Sequence, residues 1–192
     1  HAIEVNISCP NVGPHGLRYS TDAGMAREVM SAIRPLTTLP LIAKLTPNVT
    51  RIAEIALACE ECGADAVSLV NTFVGMAVDS STRKPVLGTV VGGLSGPAIK
   101  PLALAKVWEV AQAVDIPVIG MGGITRPADA IEFMLVGATA VQVGTALFAD
   151  PKLPEACVSR YVSYLREMGA ESVTELIGAL DVPSDRGVIR AA

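Results

Sequence analysis

The chain has 192 residues, of which 51% are apolar, and its formal net charge is −4. This composition excludes a disordered chain, and the length favours one domain. No basic block is present, which argues against a nucleic-acid-binding or acidic-membrane-binding surface, and the apolar runs are too short to cross a bilayer. The four cysteines favour a reducing compartment over a disulfide framework, so we expect a cytoplasmic protein.

Apolar strands and helical patterns alternate along the chain. Strands are predicted at residues 3–7, 41–45, 66–70, 116–119 and 139–143. Helices are predicted from a cap at residues 20–22 to about Arg34, from Thr50 to about Cys62, from Pro97 to about Val114, from Thr125 to Leu135, and over 153–168 and 172–180. The connection 73–93 is long for a βα loop, and its pieces 74–78 and 86–91 are expected to pair as a hairpin. We assign residues 1–180 to one domain and 181–192 to a loosely ordered tail.

The predicted strands are apolar throughout rather than alternating, which is typical of a parallel sheet covered by helices. A doubly wound sheet and a (β/α)8 barrel both fit this pattern. Only five strands are visible, so a barrel would lack about three N-terminal βα units. The chain also opens on His1 without an initiator methionine, and we therefore expect a fragment or a processed chain.

Polar residues follow the carboxyl end of every predicted strand. They are Asn6 and Cys9, Lys44, Asn71 and Thr72, Gly122 and Gly123, and Gly144 and Thr145. Barrel active sites lie at this end, and phosphate sites are typically built by the loops after the last two strands. The two glycine turns leave backbone N–H groups open to an anion, and the alternative is that these glycines only close tight turns.

Lys44 and Cys9 are the candidate reactive groups. An ammonium group inside an apolar strand needs an anion or a strong acceptor, such as a cofactor ring, unless Lys44 is simply a surface residue at the strand end. A thiol with a pKa near ~8.5 can act as an acid or base, although Cys9 also fits a buried structural role. Amide and hydroxyl groups that could surround a small planar substrate are those of Asn6, Asn11, Asn71 and Thr72.

The pair Cys59 and Cys62 has CxxC spacing but stands alone. No second pair and no histidine lies nearby in the sequence, whereas a structural zinc site needs four ligands. We expect both cysteines to be structural, and we predict no metal site.

Six motifs together resemble the class 1 dihydroorotate dehydrogenases, which are FMN-dependent (β/α)8 barrels. The motifs are Asn-Ile-Ser-Cys-Pro-Asn (6–11), Lys-Leu-Thr-Pro-Asn (44–48), Val-Asn-Thr (70–72), Gly-Gly-Leu-Ser-Gly-Pro-Ala-Ile-Lys-Pro (92–101), Gly-Met-Gly-Gly-Ile (120–124) and Val-Gly-Thr (143–145). The resemblance extends from Ile3 to about Leu180. It implies an α/β (β/α)8 barrel of which this chain carries about the last five βα units.

The resemblance also implies a subtype. A cysteine at position 9 resembles the soluble class 1 enzymes, since the membrane-bound class carries serine at that position. The run 94–101 looks like the NAD-linked, two-subunit type, in which a second subunit carries FAD and a [2Fe–2S] cluster. A homodimer of the catalytic subunit within a heterotetramer is then expected.

The activity implied by the resemblance is oxidation of dihydroorotate to orotate in de novo pyrimidine (UMP) biosynthesis. Cys9 would take the C5 proton, and a hydride would pass from C6 to N5 of FMN and its electrons onward to NAD. Lys44 would lie against the N1/O2 edge of the flavin. The pyrimidine would be held by Asn6, Asn11, Asn71 and Thr72, and the ribityl chain and phosphate by Gly96, Gly122, Gly123, Gly144 and Thr145.

Three alternatives remain open on the sequence. The first is an FMN barrel of the dihydropyrimidine dehydrogenase type, which the run 92–101 fits less well. The second is an inactive barrel fragment, because the missing strands would supply another flavin lysine, a substrate asparagine and part of the barrel wall. The third is a phosphate-binding isomerase barrel, which would need no flavin.

Overall fold

The structure, a computed structural model, describes residues 1–8 and 18–183. The strands are β1 (Ile3–Asn6), β2 (Leu41–Lys44), β3 (Ala66–Leu69), β4 (Phe73–Met76), β5 (Val78–Asp79), β6 (Lys84–Pro85), β7 (Val91–Leu94), β8 (Val118–Met121) and β9 (Ala140–Gln142). The helices are α1 (Arg18–Thr21), α2 (Ala23–Ile33), α3 (Ile52–Glu61), α4 (Lys100–Ala111), α5 (Pro127–Leu135) and α6 (Leu153–Met168). Short 3₁₀ helices are Arg34–Leu36, Pro97–Ile99, Thr145–Phe148 and Val173–Leu176.

The central sheet has five parallel strands in the order β1-β2-β3-β8-β9. This order follows the chain without reversal, whereas a doubly wound sheet reverses its strand order at a switch point. From α2 to α6, each helix contacts the next one along the chain. The sheet is therefore singly wound, with its helices in one continuous layer, as in the wall of a (β/α)8 barrel.

The sheet is also strongly curved. Gln142 Nε2 on β9 donates a hydrogen bond to Glu4 Oε2 on β1 at 3.0 Å, although these strands are the two edges of the sheet. In a flat sheet, strands four places apart would be separated by about 19 Å. Side chains from strands on opposite sides of a barrel meet in its interior, so this contact favours the barrel over the doubly wound alternative.

The hydrophobic core lies between the outer face of the sheet and the helices. Leu41 and Ala43 of β2 are fully buried there, while Lys44 on the same strand points to the concave face and is only partly buried. Val67 and Leu69 of β3 pack in the same cluster as the helix residues. This alternation leaves the concave face for polar and functional side chains.

Strand burial differs from the sequence prediction at the edges of the sheet. The central strand β3 is buried along its whole length, as predicted. The strand β1 is mostly exposed and β9 is only partly covered, because within the described residues each pairs with one neighbour only. Unpaired edges of this kind are open to further strands.

The connection after β3 forms an antiparallel arm of two short ribbons. β4 pairs with β7 from Phe73↔Leu94 to Met76↔Val91, and β5 pairs with β6. An antiparallel hairpin is present as predicted, but of the predicted second piece 86–91 only Val91 lies in a strand, so the predicted position of that strand is wrong. At the tip, Ser81 and Thr82 donate hydrogen bonds to the carboxylate of Asp79, which lower its pKa to about 2.

The predicted helix 172–180 is wrong in type and length. Ser172 and Glu175 form a capping box that starts the 3₁₀ helix Val173–Leu176. Gly178 then adopts φ 72°, and its N–H bonds to Met134 O at 3.0 Å, so the chain turns back onto α5. The predicted tail lies outside the described residues from position 184 onward. No helix among those described has the length and apolar content needed to cross a membrane.

Candidate functional site

A cavity of about 220 Å³ opens at the carboxyl ends of β2, β3, β8 and β9. Eight of the residues predicted to form the site line it: Lys44, Asn71, Thr72, Gly96, Gly122, Gly123, Gly144 and Thr145. Asn6 lies beside the cavity through its contacts with Asn71. Cys9 and Asn11 lie outside the described residues. The fold thus brings loops from four strands to one place, which the strand-end pattern predicted.

Asn71 joins the end of β3 to the end of β1. Its Nδ2 donates to Ser8 Oγ at 2.7 Å and to Ser8 O at 3.1 Å. Ser8 Oγ in turn donates to Asn6 Oδ1 at 2.8 Å, and Ser8 is almost fully buried. The predicted substrate amides Asn6 and Asn71 are therefore held by a serine that the sequence prediction did not assign to the site. Its position directly before Cys9 was the available signal.

Asn48 is a second residue that sequence reasoning missed. Its Nδ2 donates to Thr46 Oγ1 and to Thr72 O, both at 3.0 Å. Its Oδ1 accepts from Val74 N at 2.9 Å. Asn48 therefore fixes the main chain at Thr72 and the start of the antiparallel arm. Its place at the end of the 44–48 motif was the only sequence signal.

Lys44 is neither a surface residue nor fully paired. Its side chain is 22% exposed, and Nζ lies 3.7 Å from Glu4 Oε1. This distance is beyond a hydrogen bond, and an ammonium group has three donors. The residue therefore reaches the cavity with a weak ion pair and with hydrogen-bonding capacity for an anionic or carbonyl-bearing ligand.

The glycine turns have a shape that suits a phosphate group. At Gly96 and Gly144, a Cβ would meet no atom within 4 Å, so both backbones border open space in the cavity. Gly123 has φ 77°, and a Cβ there would lie 2.8 Å from Lys100 N and 2.9 Å from Gly96 O. Glycine is thus required at position 123 for this turn to pack against the turn at Gly96. The main chain at Gly96 and Gly144 stays open toward a ligand.

Asp129 holds the turn that follows β8. Its side chain is 1% exposed and accepts from the backbone N–H groups of Thr125 (2.9 Å) and Arg126 (2.8 Å). Lys100 Nζ donates to its Oδ1 at 2.7 Å. Burial by itself raises the pKa of Asp129, but the hydrogen bond from Lys100, the two backbone donors and the charge of Lys100 outweigh burial and lower the pKa to about 2.

The lowered pKa gives a testable pH dependence of stability. The pKa of Asp129 falls from 3.8 to about 2 on folding. The ionised carboxylate therefore stabilises the folded state fully above the unfolded-state pKa, and this stabilisation is lost as pH falls through the folded-state pKa. We expect the difference in the free energy of unfolding between the unmodified protein and Asp129→Asn to shrink by about 2 kcal/mol as the pH is lowered from ~4 to ~2. Urea denaturation of both proteins at several pH values measures this, and a constant difference would contradict it.

Cys59 is fully buried in the core, while Cys62 is partly exposed at the end of α3. Burial, with a smaller effect of Cys62, raises the pKa of Cys59 to about 12, which disfavours the thiolate that metal binding and redox exchange need. Within residues 1–8 and 18–183, no group of three or more His, Cys, Asp and Glu side chains is placed to hold a metal ion.

The family model for dihydroorotate dehydrogenase matches residues 1–163. The chain belongs to this family. In the dihydroorotate dehydrogenase family, the fold is a (β/α)8 barrel, and the curved five-stranded sheet is part of its wall. This agrees with the fold predicted from the sequence.

Similar proteins carry the name dihydroorotate dehydrogenase B (NAD(+)), catalytic subunit. The protein from Geotalea uraniireducens is 57% identical over 178 residues, which are 93% of this chain and 58% of that relative. Those from Geobacter sulfurreducens and Bacteroides thetaiotaomicron are 55% and 54% identical over 181 residues, covering 94% of this chain and 59% and 60% of their own lengths. The chain therefore spans about 58–60% of the length of these relatives.

Proposed function

We propose that this chain supplies most of the flavin and substrate site of an enzyme that oxidises dihydroorotate to orotate for pyrimidine synthesis. The observation that carries the proposal is that Lys44, Asn71, Thr72 and the two glycine turns line the same cavity. The names of the similar proteins support the same activity.

The residues around the cavity fit FMN in their chemistry. The open backbone at Gly144 and Thr145 and at Gly122 and Gly123 suits a phosphate group, with Gly96 beside it. Lys44 would hold the polar edge of the flavin ring with its ammonium group. When bound, FMN supplies the acceptor for the hydride that leaves C6 of dihydroorotate.

Side chains of the chain itself would transfer the proton and bind the substrate. Cys9 would accept the C5 proton on its Sγ. Asn6, Asn71, Thr72 and Asn11 would bind the carbonyl and N–H groups of the pyrimidine and fix its orientation. The hydrogen bonds from Asn71 to Ser8 and from Ser8 to Asn6 preorganise two of these amides, which lowers the cost of ordering them when substrate binds.

We also propose a partner subunit, because the similar proteins are named catalytic subunits. We propose that it carries FAD and a [2Fe–2S] cluster and passes electrons to NAD, with two catalytic subunits pairing as a homodimer within a heterotetramer in the cytoplasm. In this proposal residues 1–180 belong to one barrel domain and 181–192 form its tail.

The test uses an extended enzyme, defined as this chain joined to the part of the Geotalea uraniireducens relative that it does not match. We expect it to purify with FMN and, when an artificial electron acceptor is supplied, to oxidise dihydroorotate while leaving dihydrouracil unchanged. Oxidation of dihydrouracil instead would favour the dihydropyrimidine dehydrogenase type. Absence of flavin and of both activities would overturn the proposal.

The 192-residue chain by itself is expected to be inactive and to hold FMN weakly or not at all. Within residues 1–8 and 18–183, β1 and β9 each pair with one strand only, and in this proposal the rest of the barrel completes the site. Gel filtration of the chain after incubation with FMN checks this. Flavin absorbance that stays with the protein peak would show that the five units bind FMN unaided.

A further inference from the structure

We propose that Asp129 and Lys100 act as a positioning pair that sets the spacing of the phosphate-binding turns at Gly96 and at Gly122–Gly123. This inference rests on the proposed flavin site. Neither side chain lines the cavity, so the pair would act through the main chain that does.

Asp129 is the buried end of the pair. Asp129 holds the backbone N–H groups of Thr125 and Arg126, which directly follow the turn after β8. Asp129 lies in the first turn of α5, so its position is fixed by that helix. Any shift of the carboxylate therefore moves the chain that leaves Gly123.

Lys100 is the other member of the pair. It is the first residue of α4 and follows the 3₁₀ helix Pro97–Ile99 that begins after Gly96. Its ammonium contacts Asp129 Oδ1 and Glu132 Oε2, each at 2.7 Å. The side-chain pair thus ties the start of α4 to the start of α5.

The main chain joins the same two segments a second time. Gly123 packs so closely on Gly96 O and Lys100 N that a Cβ would approach both within 3 Å. Backbone contact at the turns and the ion pair behind them therefore close a ring between the two loops. Because both carboxylates hold the ammonium of Lys100, that charge is engaged away from the cavity, and the pair acts by position rather than by attracting the anion.

The experiment compares FMN with riboflavin, which lacks only the phosphate. In the flavin-free extended enzyme, Asp129→Asn and Lys100→Met are each expected to weaken FMN binding at least about tenfold. The reason is that the main-chain groups of the two turns would no longer be positioned for the phosphate. Riboflavin affinity should change less than about twofold, since the phosphate turns do not hold it. Flavin fluorescence titration gives all the dissociation constants.

Two further variants separate positioning from general damage. Glu132→Gln removes the negative charge of the second partner of Lys100, whose side chain is 41% exposed, while Asp129 stays in place, and it should retain FMN affinity. Lys100→Arg retains the ion pair and should restore most of the affinity that Lys100→Met loses. If Asp129→Asn fails to fold, the Lys100 variants decide the outcome on their own.

The outcomes distinguish this inference from the proposed function. Equal losses for FMN and riboflavin would mean a merely structural pair, and unchanged FMN affinity in the variants would mean no role; either result overturns the inference alone. An unmodified extended enzyme that binds neither flavin would overturn the proposed function, and this inference with it.

Discussion

Replacing Cys9 by alanine in the extended enzyme is expected to lower turnover of dihydroorotate at neutral pH by a factor of about 10² to 10⁴, the usual contribution of a positioned general base. Flavin content should stay normal, because Cys9 is not among the residues proposed to hold FMN. Steady-state assays at saturating dihydroorotate with an artificial electron acceptor, together with the flavin absorbance per subunit, measure both quantities. Turnover close to that of the unmodified enzyme would rule out Cys9 as the base.

Two cysteine variants sharpen this test. Cys62→Ala removes a partly exposed thiol just after the end of α3 and should leave turnover unchanged. Cys9→Ser keeps a hydroxyl group that ionises at much higher pH than a thiol, so its remaining activity should rise toward alkaline pH. A Cys9→Ser enzyme with an unaltered pH profile would show that ionisation of this side chain does not limit the reaction.

The strand-end rule made most of the site predictable. In a parallel sheet, the carboxyl ends of all strands meet on one side, so Lys44, Asn71, Gly123 and Gly144 had to converge if the strands were assigned correctly. The predicted strands lie within two residues of the observed ones at their starts, with the fourth beginning at Val118 because Pro117 has no N–H for the sheet. Local residue type was enough to locate these positions.

Long-range pairing could not be predicted in the same way. Asp129 was predicted only as part of the helix from Thr125 to Leu135, and its partner Lys100 lies 29 positions earlier in the chain. The choice between a doubly wound sheet and a barrel depended on curvature, which the contact between Glu4 and Gln142 reveals and periodicity does not contain. The number of residues between partners, rather than the type of each residue, limited the sequence prediction.

Lys44→Met in the extended enzyme is expected to slow reduction of the bound flavin by dihydroorotate about 10²- to 10³-fold, the typical cost of removing one preorganised donor from developing negative charge. Lys44 lines the cavity, and among the described residues its ion pair is with Glu4 at 3.7 Å, longer than a hydrogen bond, so its charge remains directed to a ligand. Methionine keeps a similar length and apolar stem while removing the charge. Stopped-flow absorbance at the flavin band measures the rate directly.

The matched control is Lys106→Met on the outer helix α4. Lys106 is similarly shielded, with a side chain 19% exposed, but its ammonium contacts Glu109 and Thr50 O away from the cavity. Its loss should leave flavin reduction unchanged. Lys44→Arg should recover only part of the rate, because the guanidinium keeps the charge but presents a larger, planar group to the same space. Equal rates for Lys44→Met and Lys106→Met would show that Lys44 does not stabilise the reduced flavin, and the proposed orientation of the ring would then be wrong.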